Sequence, residues 1–580
     1  MNLTPPASHP SRRLRYSQDP GLGRAVQLLT ACLLCAVLSC STTPRTGGPP
    51  GWFEVRSFGA RGDGTTLDTQ AVNAAITAAH AAGGGTVFFP AGTYACHSVH
   101  LQSHVSLYLD QGAVLAAAPP SKAESYDPPE PNPFDPYEDF GHSHFHNSLI
   151  WGENLTDVAI GGPGMIDGQA GLTRGSGGDA DPSQPGGGVY GVDTPRYVRY
   201  VSNVVTTSTA KPLYPQPRDT LPAGVGNKAI SLKLCRNVTL RDFTVRAGGH
   251  FALLATGVDN LTLDNLTIDT NRDGFDIDSC RSVRVSNCAV NSPWDDGICL
   301  KADFALGYNR PCEDVTITNC QVSGFACTTL LDGRRLPINA DYDHGGGGTG
   351  RIKFGTESNG GFRNITVSNC TFNSCRGLAL ETVDGGPLED VTIDNLTMRH
   401  PVNSPIFLRL GSRNRGPADQ TITGTLARIN ISNVVVYDAD PRYASIIAGV
   451  PGHEVTDVKL SHIQIFARGG GSTLTRDWAT TQPDEREDKY PEPSMFGQTA
   501  AYGFYVRHAS GVEFNDVACH VADEDLRSAF VLDDVSDAKF VNVDAEQTGG
   551  VPPLATHDVR NVTIRDFPNA KVTPEDPPTQ

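Results

Sequence analysis

One phrase of alternating apolar and polar residues recurs through the chain: "NVTLRDFTV" at 237, "NLTLDNLTI" at 260, "SVRVSNCAV" at 282, "DVTITNCQV" at 314, "NITVSNCTF" at 364, "DVTIDNLTM" at 390, "RINISNVVV" at 428 and "DVKLSHIQI" at 457. Each copy has apolar residues at every second position, then Asn, Asp or His, then two more apolar positions. That is the pattern of strand, turn and strand. The shortest interval between copies is 22 or 23 residues, and intervals of 32, 38 and 50 residues are the same unit carrying loops.

Units of this size cannot bury an apolar face alone and must stack. Short strands joined by Asn-rich turns, with no helix pattern between them, predict an all-β chain wound as a right-handed parallel β-helix, one coil per repeat. A leucine-rich horseshoe would need a Leu-dense consensus that is missing, and a propeller blade needs ~40 residues or more. A bare end would offer strand edges for pairing, so a cap is required. "TLDTQAVNAAITAAHAAGGGTVFFP" predicts an N-terminal capping helix begun by Asp68 or Thr69, buried along Val72, Ala75, Ile76 and Ala79, and ended by Gly83 to Gly85. Long loop insertions at 118–148, 170–222, 328–350 and 470–500 interrupt the coils and are expected to wall a single cleft.

Composition agrees with a turn-rich β protein: 61 Gly and 41 Pro against 4 Met in 580 residues. The formal charge of −18 supplies no basic stripe for phosphates, which argues against a nucleic-acid partner. It also requires any polyanionic ligand to be held by local Arg and Lys. At the N-terminus Arg12, Arg13, Arg15 and Arg24 precede an apolar run from Ala25 to Cys40, too short for a comfortable membrane span. "VLSC" resembles a bacterial lipobox, which predicts cleavage before Cys40 and a lipid on its sulfur; an ordinary secretory signal is the alternative. The expected plan is a signal peptide (1–39), a tether (40–50), a β-helix domain (51–570) and a tail (571–580). The expected location is the periplasm, outer membrane or cell surface of a bacterium, as a monomer that meets membrane only through its lipid. Fourteen Cys in an exported chain would suggest disulfides, but Cys288, Cys320 and Cys370 end the same tripeptide of successive repeats and read as a buried stacked row. No Cys or His spacing suits zinc, so no metal and no cofactor is expected.

"NRDGFDIDSC" (271–280) and "PWDDGICLK" (293–301) place five aspartates in strand-like sequence, where Asp is normally rejected. A coil of about 22 residues would stack Asp273 on Asp295 at the ~4.8 Å spacing of neighbouring strands, with Asp296 alongside. Like charges that close push one carboxyl towards its protonated form while another stays ionised, the division of labour glycoside hydrolysis requires. Asp276 and Asp278 read equally well as a structural ladder of the "FDID" strand.

"NRDGFDID" followed by "DDGICLK" resembles the N-T-D-G and D-D-x-x-x-x-K motifs of glycoside hydrolase family 28, the polygalacturonase-type, pectin-degrading enzymes on the pectin lyase-like β-helix. "FGARGDGTTLDTQAVNAAI", "GGGTVFFPAGTY", "GGPGMIDGQ" and "GTESNGGFRNITVSNCTF" are similar to other coils of that superfamily. The resemblance implies a divergent member that hydrolyses pectic polysaccharide or its oligosaccharides with inversion. Asp295 would protonate the leaving oxygen, and Asp273 and Asp296 would hold and deprotonate the water. It places Lys301 and Glu357 where they contact substrate or orient the aspartates.

Three departures bear on specificity. Arg272 replaces the Thr of N-T-D, beside the expected base. Thr349, Gly350 and Arg351 stand where G-H-G is expected, and the nearest histidine is His344. Ala379, Leu380 and Glu381 replace the carboxylate-binding R-I-K, while a literal "RIK" at 351–353 falls at another place in the repeat and reads as coincidence. Arg409 and Arg413, with Arg415, are candidate replacement cations for substrate, their alternative being solvated loop charge. Two other functions are weighed: a lyase on the same fold using calcium and a basic residue, and a non-catalytic glycan-binding β-helix.

Overall fold

The computed structural model describes residues 51–572 except 122–123, 139–140, 174–223, 271, 339–347, 472–482 and 548. The segment expected to be a signal peptide, Cys40 and His344 lie outside the described residues. The named strands pair in parallel throughout, each with its counterpart one coil away, which is the expected parallel β-helix.

Three ladders make up the coil. One stacks Ser148–Glu153, Lys228–Lys233, Phe251–Thr256, Asp273–Asp278, Ile298–Lys301, Ile352–Phe354, Leu378–Thr382 and Ile406–Leu410. The second carries the recurrent phrase, from Arg236–Arg241 through Asp259–Asp264, Arg281–Ser286 and Cys312–Thr318. The third is short, as in Thr267–Asp269 and Ala289–Asn291, and from Phe362–Asn373 onwards it fuses with the second into strands of 12 residues or more. The turn asparagines explain the bend between the two. Asn265, Asn287, Asn319, Asn369, Asn395 and Asn433 all have φ between 52° and 59°, a left-handed conformation Asn tolerates better than most residues. Their amides bond up the stack, Asn265 to Asp242 at 2.9 Å and Asn287 to Asp264 at 2.8 Å.

The apolar alternation fills the interior with rows such as Phe275, Ile298, Ile352, Leu378 and Ile406. Cys288, Cys320 and Cys370 are buried there, and all eleven cysteines among the described residues are free thiols. The capping helix spans Thr69–Ala81 and buries Val72, Ala75, Ile76 and Ala79, as the pattern requires. Its N-cap is Asp68, but the carboxylate turns away from the helix to accept from the backbone N–H of Arg61 (2.7 Å) and Gly62 (3.0 Å). No helix among the described residues is long and apolar enough to cross a membrane.

Outward positions of the first ladder carry the chemistry. Because Phe275 and Ile277 face the core, Asp276 and Asp278 face out; likewise Lys353 lies between Ile352 and Phe354, and Glu381 follows Leu380. Further along, outward Ala379, Phe407 and Ile446 join Met495, Phe496 and Tyr505 in a second apolar cluster. This seats Met495 and Phe496 of the 470–500 insertion against the ladder.

Candidate active site

Asp273, Asp295 and Asp296 converge, each offering a carboxylate oxygen within 4.8 Å of the others. The local coil differs from the expected 22 residues. Phe275 pairs with Ile298 and Asp278 with Lys301, 23 positions on, and Gly274 N–H donates to the Asp296 carbonyl at 3.0 Å. Asp296 is therefore the coil equivalent of Asp273, and Asp295 falls beside Arg272. Gly274 permits this close approach: a Cβ there would lie 2.3 Å from the Gly297 carbonyl oxygen and 2.4 Å from Val290 Cγ1.

The three carboxylates have different surroundings. Asp273 is 4% exposed, and burial, reinforced by the Asp295 charge, raises its pKa well above the ordinary carboxylate range despite Arg272 and Lys301. Asp296 is 2% exposed; burial would raise it too, but Lys353, Arg351 and Lys301 overcome that and hold it ionised below the usual range. Asp295 is the accessible member, its side chain 26% exposed and hydrogen-bonded to the Arg272 guanidinium. Arg272 thus pairs with the expected acid, not with the expected base. The nearest oxygens lie closer than the ~6.5–9.5 Å typical of an inverting pair.

The literal "RIK" nevertheless reaches the aspartates. The strand Ile352–Phe354 lies directly against Ile298–Lys301, and this register brings Arg351 Nε to Asp296 at 2.8 Å and Lys353 Nζ to 3.4 Å. On the next coil Glu381 comes within 3.5 Å of Lys353 and 3.9 Å of Arg351, and burial pushes its pKa up to about 7 against the pull of those cations. From the 470–500 insertion, Tyr490 OH accepts from Lys353 (2.9 Å) and Glu492 binds Arg351 (2.8 Å) and Arg376 (2.7 Å). Tyr490, Glu492 and Arg376 carry no signal of their own in the sequence, since no strand periodicity fixes where an insertion folds.

Of the remaining candidates, Lys301 acts on the trio, whereas Arg409 and Arg413 are bound to other groups. Lys301 is buried against Glu357 at 2.7 Å, and Glu357 also accepts from Arg415 at 2.5 Å with Arg413 3.5 Å away. Arg413 forms a two-pronged pair with Asp384, and Arg409 donates to the carbonyls of Gly449 (2.6 Å) and Glu485 (2.8 Å) while stacking on Phe496. Both arginines are therefore buried rather than solvated loop charges. Asp278 accepts from the Asp303 backbone N–H at 2.9 Å, as a structural ladder would, whereas Asp276 is fully buried with neither oxygen hydrogen-bonded, 3.9 Å from the His142 ring, which burial keeps neutral. Asp273, Asp295 and Asp296 are close enough to share a cation, but Arg351, Lys353 and Arg272 already supply positive charge there.

Two family models match: "Rhamnogalacturonase A/epimerase, pectate lyase-like" over residues 52–114 and "Right handed beta helix region" over 223–398. A probable polygalacturonase of Vitis vinifera is 24% identical over 470 residues, 74% of this chain and 80% of that protein. Among solved structures, a family 28 exopolygalacturonase of Yersinia enterocolitica superposes with TM-score 0.55 at 18% identity, over 89% of this chain and 78% of that one. The hyperthermoactive exopolygalacturonase of Thermotoga maritima gives 0.53 at 19%, over 72% and 88%. These likenesses establish the right-handed parallel β-helix as the fold of this chain.

Proposed function

We propose that this protein is a glycoside hydrolase cleaving O-glycosidic bonds of pectic polysaccharide or its oligosaccharides, with no cofactor. The observation that carries the reading is the unequal trio. One carboxylate is driven to hold a proton, one is locked ionised and one is open to solvent, all within 4.8 Å. The proton that burial keeps on Asp273 passes by way of Asp295, the accessible member, to the leaving oxygen as the bond to C1 breaks. Water adds to C1 and gives its proton to Asp296. Arg351 and Lys353 keep Asp296 basic only in the sense of keeping it ionised, and Arg272 orients Asp295. Single displacement follows from the family resemblance, with exo cleavage favoured by the insertions. Export and a lipid on Cys40 complete the reading.

Incubation with pectic oligosaccharides, with products identified by mass and anomeric NMR, tests it. Inverted reducing sugar supports single displacement, and retained configuration replaces it with a double displacement through a covalent intermediate. A calcium requirement with products absorbing in the near ultraviolet would establish the lyase instead. Full function in Asp295→Asn would establish a binding protein. Mass spectrometry of the mature N-terminus tests Cys40.

A further inference from the structure

Charge is matched around the aspartates, among the described residues. Arg351 is held between Asp296 and Glu492, Lys353 between Asp296 and Glu381, Arg376 against Glu492, and Arg272 against Asp295. Arg351 and Lys353 are also buried, at 2% and 0% exposure, so neither presents an open face to a ligand. What reaches the surface is two closed ion pairs, Asp295 with Arg272 and Glu492 with Arg376, all four side chains partly exposed, and Tyr490, itself 45% exposed. A sugar bearing a free carboxylate would meet two carboxylates that already hold their arginines, with no uncommitted cation in the described shell. An uncharged ring meets hydrogen-bond acceptors and an aromatic surface, the usual composition of a site for a neutral polar ligand.

We propose that the sugar unit seated beside Asp295 is uncharged at C6, a neutral pyranose or an esterified uronate, and not a free uronate. This rests on the hydrolase reading for the position of the substrate, but the charge discrimination is a property of binding and is measured without turnover. The probes are three oligosaccharides of equal length that differ only at C6: an oligogalacturonide as the free acid, the same oligomer fully methyl-esterified, and the corresponding galactose oligomer.

Calorimetric titration of Asp295→Asn at low salt is expected to give at least tenfold tighter binding of a neutral form than of the free acid. Removing a carboxylate in that variant works against the expected order, so the comparison is conservative. The gap is expected to shrink as salt is raised. In the Asp295→Asn, Glu492→Gln double variant, Arg351 and Arg376 lose their shared acid, and the free acid is expected to gain affinity while the neutral forms do not. A merely structural role for Glu492 would lower all three together. Equal or tighter binding of the free acid, or no binding of any probe, overturns the proposal. Neutral-selective binding in the variant, with no cleavage of any probe by the unsubstituted protein, removes the hydrolase reading and leaves the charge assignment standing.

Discussion

Arg351 Nε lies 2.8 Å from Asp296 Oδ1, with both side chains 2% exposed, just before strands one coil apart. Taking one partner away leaves a buried charge without its counterion, which typically costs about 3–5 kcal/mol. Arg351→Met is expected to lose stability on that scale in urea titrations, while Arg351→Lys recovers part of it. A loss under about 1 kcal/mol for the methionine variant would mean that Lys353 alone satisfies Asp296.

Asp295→Asn and Asp273→Asn are each expected to lower kcat by about 10²–10⁴-fold, the usual worth of a positioned general acid, with ligand binding largely kept. The pH profile follows from the two shifts. Burial and then the Asp295 charge raise Asp273, so its proton persists above the ordinary carboxylate range and kcat/KM falls as pH rises through that raised pKa. Asp296 is depressed by Lys353, Arg351 and Lys301 against its burial, so the acid limb lies below the ordinary range. Rates measured across pH on the best pectic substrate would refute this if they peaked in alkali.

Glu381 is fully buried with its pKa pushed up to about 7, chiefly by burial. The folded state then binds more protons than the unfolded state between about pH 4.5 and 7, so stability from this group is present at low pH and is lost as pH rises through 7. Glu381→Gln removes that dependence. Melting temperature is expected to fall less steeply from pH 5 to pH 8 in the variant than in the parent, and parallel curves would contradict the assignment.

Gly274→Ala would drive a Cβ to within 2.3 Å of the Gly297 carbonyl oxygen, in the peptide stack that sets Asp273 over Asp296. Overpacking of this kind costs about 1–3 kcal/mol. A shift of ~1 Å in Asp273 is expected to cost ~10²-fold in turnover. Calorimetry and initial rates check both, and a fully active, equally stable variant would show that the backbone yields without moving the aspartate.

The coil was legible because its cause is local. Alternation, turn asparagines and the helix face of Val72 to Ala79 each act within a few residues, and the same phrase repeats often enough to force stacking. The meeting of Asp273 with Asp295 and Asp296 followed from coil length alone. The pairing within the trio did not, because one extra residue in the 23-residue coil exchanges Asp295 for Asp296 opposite Asp273. Arg351 and Lys353 were discounted on motif spacing, yet a 328–350 insertion changes sequence distance without changing the register of the next strand.

By itself, then, the amino-acid order determined the β-helix, its cap and the gathering of three carboxylates, since periodic burial is decided residue by residue. Only the tertiary structure decided which cation answers which acid, how Tyr490 and Glu492 close over them, and which aspartate remains open to solvent. Coulombic pairing and desolvation depend on distances across coils and insertions, and no pattern along the chain encodes those distances.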